Sequence, residues 1–283
     1  MKRKTLIITI TSIVCLIALC LIVIAACGGP KVTGIKSLAA ANLQAQSDVQ
    51  SYHMDGKVNM TVTLDPSQSE ELQALLEKVN PQLPVKMTID TDAGTETAHI
   101  TTNASVKVFG KTIPVQTAEA YLDMENKVAY TKAGESSEWK KSEDEEHQEM
   151  GLKEMAGGLA KIGKTVLENA TYEETEEYYS ITMPAEKAGD LVADLELLDR
   201  VDLGIADVHD ITVEGGEIVY NVDKETLLVD SIELKDVDIR GKGTYEGFSV
   251  DLIFPTNGSF QFSRYNELEE SEYAIPEDVL NQE

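Results

Sequence analysis

The stretch SYHMDGKVNMTVTL, residues 51–64, alternates between two kinds of side chain and limits the possible folds more than any other segment. Its even positions are apolar except for Gly56, and its odd positions, from His53 to Thr63, are polar or charged. A period of two residues is typical of a β-strand with one buried and one wet face. Such a face must be covered by other elements, so the pattern predicts a large sheet with a covering layer.

Further alternating segments separated by short turns predict an antiparallel meander. The expected strands lie around residues 85–89, 98–108 and 115–124, in a hairpin that starts at Val128 and ends at Trp139, and around 178–183, 218–222, 227–239, 244–254 and 260–265. The similar patterning of the two halves fits either a distant internal duplication or two strand–helix units built under the same rules. No low-complexity linker separates the halves, so we expect one continuous sheet.

Helical patterns supply the covering layer. We predict helices at Ile35–Val49, at Glu70–Val79, at Glu143–Glu168 and over residues 185–198. The second and third follow capping boxes, in which a serine is followed three residues later by glutamate. The expected fold class is therefore α+β, with a single domain over residues 35–283.

The N-terminus predicts export. Basic residues 2–4 precede an uncharged, mostly apolar run from Leu6 to Ala26, and the following IAACGG, residues 24–29, resembles a bacterial lipobox. This resemblance implies that residues 1–26 are a lipoprotein signal peptide, that Cys27 carries the lipid, and that residues 27–34 form a short tether. The alternative is an uncleaved anchor. Both place the chain at the cell membrane, on the extracellular face.

The charge balance excludes one class of partner. The full chain has 24 basic and 50 acidic residues. Without the three basic residues of the signal segment, 21 basic residues face 50 acidic ones, a net charge of −29. Nucleic acid requires a basic surface, so we expect no nucleic-acid binding. The same acidity opposes lying flat on an anionic leaflet.

The segment GLAKIGKT, Gly158–Thr165, matches the spacing of a phosphate-binding loop. That motif needs a buried strand before the loop and a helix that starts at the lysine. Here a charged helical pattern precedes it, so Lys161 and Lys164 are better interpreted as the wet face of an amphipathic helix. We predict no nucleotide binding and no cofactor.

No catalytic apparatus is visible in the sequence. His53 and His99 fall on the polar parity of their strands, which predicts solvated side chains, and His147 lacks a metal-binding partner pattern. The stretch DTDAGTE, Asp90–Glu96, departs from a calcium loop in the place of its glycine and the missing twelfth-position glutamate. We expect neither a catalytic nor a metal site, and no enzyme.

Several segments together resemble a family of Gram-positive lipoproteins that is similar in architecture to the LolA/LppX-like lipoprotein carriers. They are the lipobox, SYHMDGKVNMTV, VAYTKAGESSEWKK, YNVDKETLLVDSIEL and YNELEESEYAIPEDV. The resemblance implies a large curved antiparallel sheet, an open half-barrel with helices packed on its concave face. It also implies an apolar cavity for acyl chains.

Flexible methionines and small alanines suit a surface that accepts varied apolar ligands, although they also serve as ordinary core filling. The side chains expected to line a cavity are Met54, Val58, Met60, Val62, Met87, Ala104, Met155 and Leu159. One expected function is the binding or carriage of a lipid or other apolar molecule. The alternative is a cell-surface interaction protein with a dry core and an acidic face for a cationic partner. We expect a monomer in either case, with Trp139 as an optical probe if it borders the cavity.

Overall fold

The computed structural model of the protein describes the strands of one sheet and the segments next to them. The described residues are 33–64, 83–108, 111–123, 126, 128–133, 138–143, 169–187, 209–245 and 248–281.

Twelve strands within these residues form one antiparallel sheet. The strands are β1 (Ser51–Leu64), β2 (Leu83–Gly94), β3 (Thr97–Val108), β4 (Lys111–Asp123), β5 (Val128–Ala133), β6 (Lys140–Glu143), β7 (Thr171–Glu174), β8 (Tyr178–Pro184), β9 (His209–Glu214), β10 (Glu217–Asp223), β11 (Val229–Tyr245) and β12 (Phe248–Ser263). Their alternation of apolar and polar residues explains why the chain forms strands here. The predicted large antiparallel sheet is confirmed, and it is open rather than closed into a barrel.

The order across the sheet is β6-β5-β4-β3-β2-β1-β12-β11-β10-β8-β7. The first six strands form one meander that moves outward from the centre. The later strands begin at the opposite edge and return, so β12 pairs with β1, with His53 opposite Ser263. The first and last of the described strands are therefore neighbours in the middle of the sheet.

The strands β9 and β10 pair with successive parts of β11, on the same side of that strand, and the backbone that joins them is irregular. Gly216 has a φ of +79°, and a Cβ there would lie 2.3 Å from the carbonyl oxygen of Asp236, so glycine is required. Two residues of β11, Lys235 and Asp236, lie opposite Asn257 of β12. The Asn257 Oδ1 accepts the Asp236 backbone N–H at 2.9 Å, which satisfies the donor that this bulge removes from the ladder.

Short helices flank the sheet. The helix α1 (Ile35–Gln46) buries Leu38, and the Asn42 side chain donates a hydrogen bond to the carbonyl of Leu227 in the β10–β11 turn. Near the C-terminus, α2 (Glu270–Tyr273) and α3 (Glu277–Leu280) follow β12. Among the described residues, no helix is both long and apolar enough to cross a bilayer.

The two faces of the sheet differ in character. One, called here the apolar face, carries the even positions of β1 and the residues that pair with them. Its buried residues include Met54, Val58, Met60, Val85, Met87, Ile89, Ala104, Met183, Ile218, Ile232, Leu234, Phe254, Phe260 and Phe262. The other, called the polar face, carries His53, Asp55 and Lys57 of β1 and their neighbours on β2 to β5.

The predicted strand limits in the last third of the chain were wrong. The strand β11 continues through Gly241 and Gly243, which pair with Leu252 and Val250, whereas we expected a break there. The strand β12 continues through Pro255, where a second break was expected. Proline has no N–H to donate, and the pairing with β1 is interrupted beside it, so the strand accommodates it locally.

Two strands were not predicted. The charged stretch after residue 170 forms β7, and residues 209–214 form β9. The chain also continues as strand β6 through Ser142 and Glu143, so the predicted helix does not begin at this capping box. The rest of that helix, the GLAKIGKT segment, the predicted helix at 70–79 and residues 1–32 lie outside the described residues.

Candidate functional site

The apolar face contains the predicted ligand-lining residues that the structure describes. Met54, Val58, Met60, Met87 and Ala104 are all buried there, on three adjacent strands. Three predicted residues fall outside the part of the chain that the structure describes, namely the side chain of Val62 in β1, Met155 and Leu159. The sheet thus brings five of the eight predicted residues together, and their role as a cavity lining stays a prediction.

A single hydroxyl stands out on this face. Thr91 lies between Met54 of β1 and Ile100 of β3, and only 6% of its surface is exposed. Its Oγ1 is fully buried and has no hydrogen-bond partner among the described residues. By contrast, the buried Thr256 hydroxyl donates to the Phe254 carbonyl at 2.8 Å. Leaving a buried hydroxyl without a partner costs about 1–3 kcal/mol, so Thr91 is a place where a polar ligand atom would be stabilised.

The polar face carries two adjacent rows of side chains that cross the strands. The first row contains His53, Asp92, His99, Tyr121 and Tyr130 of β1 to β5, and the second contains Asp55, Asp90, Thr101, Glu119 and Lys132. Each strand contributes residues two positions apart, which a strand necessarily places on one face. The antiparallel register then sets the histidines beside the carboxylates.

His53 contacts a carboxylate at each ring nitrogen. Its Nδ1 lies 2.8 Å from Asp92 Oδ1, and its Nε2 lies 3.3 Å from Asp55 Oδ2. Partial burial acts to lower the pKa of His53, but the hydrogen bonds with Asp92 and Asp55 outweigh it and raise the pKa above its ordinary value. Only 17% of the side chain is exposed, so the predicted solvated histidine was wrong.

Asp90 completes a three-residue group with His53 and Asp55. One potential ligand atom from each of the three lies within 4.8 Å of the others. Burial raises the pKa of Asp90, and the neighbouring carboxylates of Asp92 and Asp55 add to this rise, while His53 opposes it. The group therefore concentrates negative charge around one imidazole.

A second histidine pair lies further along the polar face. His99 Nε2 is 3.0 Å from Glu119 Oε1, and Lys132 Nζ is 2.8 Å from Glu119 Oε2. Burial favours a higher pKa for Glu119, but its hydrogen bonds with Lys132 and His99 outweigh this and lower the pKa. His99 is also mostly shielded from solvent, so it too is better described as a bonded than as a solvated histidine.

Beside the first group, Arg264 is already engaged. Its guanidinium meets the Glu272 carboxylate through two contacts of 2.8 and 3.0 Å, an arrangement in which both carboxylate oxygens accept. This pair ties the end of β12 to α2. The Arg264 charge is consequently shared with Glu272 and does not by itself neutralise the aspartates near His53.

An aromatic cluster extends the polar face toward α3. Tyr121 stacks on His99 with centroids 4.5 Å apart and meets Trp139 at 5.3 Å, and Val279 of α3 packs on the cluster. Lys132 Nζ lies 4.6 Å from the Trp139 ring centroid. Trp139 therefore lies on the face opposite to Met54 and Met87, so the condition for its use as an optical probe of a cavity on the apolar face is not met.

The sequence contained a signal for the His53 group that its interpretation did not use. The patterns His53-x-Asp55 and Asp90-x-Asp92 each place two polar groups on the wet face of a strand. Their encounter depends on the register of β1 against β2, which the patterns alone do not specify.

Comparisons with known proteins assign a family and distant neighbours. The model of a family of unknown function, DUF6612, matches residues 35–283. A candidate AttH protein from Nitrosomonas europaea is 6% identical, with 77% of this chain and 52% of that chain covered and a TM-score of 0.26. A β-barrel-like protein of the domain of unknown function DUF1849 from Brucella abortus is 8% identical, with 72% and 97% covered and a TM-score of 0.25. This chain thus spans about half the length of the AttH protein. No curated protein matches the sequence.

Proposed function

The chain belongs to the DUF6612 family, and from this premise we propose that it is an extracytoplasmic, membrane-anchored lipoprotein that binds or carries a lipid or another apolar ligand. The ligand would lie against the apolar face, and Cys27 would hold the protein at the membrane. No catalysis is included in this proposal. The resemblance to LolA/LppX-like carriers supports it, because a carrier of that kind uses one face of an open sheet.

The composition of the apolar face supports binding of an acyl chain. Four methionines are buried on this face, namely Met54, Met60, Met87 and Met183. Their unbranched thioether side chains adapt to ligands of varied shape. Ala104, opposite Met87, contributes little volume. Each methylene of a ligand that is buried here would contribute roughly 0.8 kcal/mol, so a chain of ten carbons could bind stably.

The Thr91 hydroxyl is the observation that carries the proposal. A core that is fully packed by its own side chains gains nothing from an unbonded hydroxyl in its middle. A ligand with a carbonyl or hydroxyl near its apolar chain would give Thr91 Oγ1 the partner that the described residues do not. A hydrogen bond of this kind contributes about 0.5–1.5 kcal/mol, which corresponds to roughly 2–10-fold in affinity.

The experiment is native mass spectrometry of the full chain released from its membrane in a nonionic detergent. We expect a non-covalent mass that corresponds to an apolar molecule with one polar group. Ala104→Leu, which adds volume on the apolar face, should lower its occupancy. The matched control is Asn103→Leu, which adds leucine at an exposed position on the opposite face of the same strand and should retain the ligand.

A second pair of variants separates the carrier from a dry core. Thr91→Val removes the unbonded hydroxyl and should stabilise the ligand-free protein while weakening ligand retention. Thr256→Val removes a bonded hydroxyl and should only destabilise the protein. If wild-type protein carries no ligand, the proposal fails. The complete burial of Phe260, Ile232 and Met183 then favours the second candidate, a surface interaction protein with a dry core.

A further inference from the structure

We propose that His53, Asp55 and Asp90 form a binding site for a divalent transition-metal cation on the polar face of the sheet. The proposal is independent of the apolar ligand, because these side chains project from the face opposite to Met54 and Met87. The two strands that carry them are neighbours at the centre of the sheet, so the backbone beneath the site is fixed by pairing on both sides of β1.

The geometry of His53 assigns its two nitrogens different roles. A carboxylate only accepts hydrogen bonds, so Nδ1, which lies 2.8 Å from Asp92 Oδ1, carries the hydrogen. In the neutral ring, Nε2 then presents its lone pair toward the Asp55 carboxylate at 3.3 Å. Two acceptors at this distance repel each other unless a proton or a metal ion lies between them.

The placement of Asp92 is the arrangement found behind metal-bound histidines. A carboxylate that accepts from the far ring nitrogen fixes the tautomer and the ring orientation, and it makes the near nitrogen a better ligand. Here Asp92 would hold the ring while Nε2 and the two other aspartates face the metal. Asp92 is therefore a positioning residue, and the ligands are one nitrogen and two carboxylate oxygens.

The ligand set and its charge indicate the class of cation. Ca²⁺ and Mg²⁺ prefer oxygen ligands alone, whereas imidazole together with carboxylates suits Zn²⁺ and Mn²⁺. Two ligating aspartates would neutralise a divalent ion. Arg264, whose charge acts on Asp92, is committed to Glu272, so it does not replace a metal in this role. The exposed side of Asp55 leaves room for water to complete the coordination.

The test is calorimetric titration of the chelator-washed full chain with ZnCl₂, with excess Ca²⁺ present to occupy sites that consist of oxygen alone. We expect one Zn²⁺ per chain to remain. His53→Ala, Asp55→Asn and Asp90→Asn should each weaken this binding roughly 10-fold or more, and Asp92→Asn should weaken it about 10–100-fold by releasing the ring.

The matched control is His99→Ala, which removes the other imidazole–carboxylate pair of the polar face and should leave the affinity unchanged. Circular dichroism establishes whether each variant is folded. If His53→Ala does not fold, Asp55→Asn and Asp90→Asn, which change exposed residues, still test the site. The proposal would be overturned if His99→Ala lost Zn²⁺ binding as much as the His53 and aspartate variants do. It would also be overturned if the wild-type chain bound no Zn²⁺ in the presence of excess Ca²⁺.

Discussion

The packing around Gly56 allows a quantitative prediction for the centre of the sheet. Gly56 lies on the apolar face of β1, between Phe260 of β12 and Ile89 of β2. A Cβ added there would be 2.9 Å from Phe260 Cδ1 and 3.2 Å from Ile89 Cβ. Carbon atoms pack best at about 3.5–4.0 Å, so the Gly56→Ala variant must displace a ring that has no exposed surface.

The expected cost follows from two opposing effects. Adding a methyl group to a filled core costs about 1–3 kcal/mol. Replacing glycine with alanine also restricts the unfolded chain, which stabilises the fold by about 0.4–1 kcal/mol. Gly56→Ala should therefore lower the free energy of unfolding by about 1–2 kcal/mol. This corresponds to a fall in Tm of roughly 2–4 °C for each kcal/mol.

The assay is urea unfolding followed by circular dichroism, with Phe260→Leu as a second background. Leucine removes part of the ring that the new methyl would meet, so Gly56→Ala should cost less in that background, with a coupling of about 0.5 kcal/mol or more. Lys57→Ala, exposed on the opposite face of β1, should stay within about 0.5 kcal/mol of wild type. A neutral Gly56→Ala without coupling to Phe260 would refute this account of the packing.

Three further predictions concern other parts of the chain. Cys27→Ala should leave an unprocessed precursor without acyl label, measured by metabolic labelling with palmitate. Lys164→Ala should leave nucleotide binding at the wild-type level, which we expect to be nil in an ATP titration. Lys132 holds the pKa of Glu119 below its ordinary value. The pair therefore stabilises the fold fully when the pH is above that ordinary pKa, and this stabilisation is lost as the pH falls through the lowered pKa. Lys132→Met should reduce that acid-dependent loss in urea midpoints measured across acidic pH.

Each of these predictions has a result that contradicts it. Normal acylation and processing of the Cys27 variant would remove the lipobox interpretation. ATP binding by the wild type that disappears in Lys164→Ala would restore the phosphate-loop interpretation. If the urea midpoint of Lys132→Met depends on acidic pH as the wild-type midpoint does, Glu119 is not stabilised by this partner. The matched control is Lys140→Met, at an exposed position of β6.

Local periodicity was sufficient to predict the central strands. The alternation from Tyr52 to Leu64 matches β1 in full, because the pattern of a strand depends only on its own residues. The helix predicted at Ile35–Val49 was also placed correctly, to within three residues at its end. The expected breaks at Gly241 and Pro255 failed, since a paired strand tolerates these residues when its neighbours supply the remaining contacts.

The polar face could not be predicted in the same way. His53 and Asp92 lie 39 positions apart, and their contact depends on the register of β1 against β2, in which the apolar residues must all fall on one face. Trp139 was equally hard to place, because its partners Tyr121 and Val279 belong to distant segments. Polar parity indicated which face these groups share, but the identity of their neighbours is a property of the tertiary structure.

The pairing of β1 with β12 has a consequence for how the protein is made. His53 and Ser263 are neighbours in space yet 210 positions apart. A ribosome completes β1 long before its partner exists, so the centre of the sheet cannot close until nearly all of the chain has been synthesised. Contacts of such long range make folding slow. In the exported protein that we propose, this delay would be useful, because premature closure would obstruct the passage of an extended chain through the membrane.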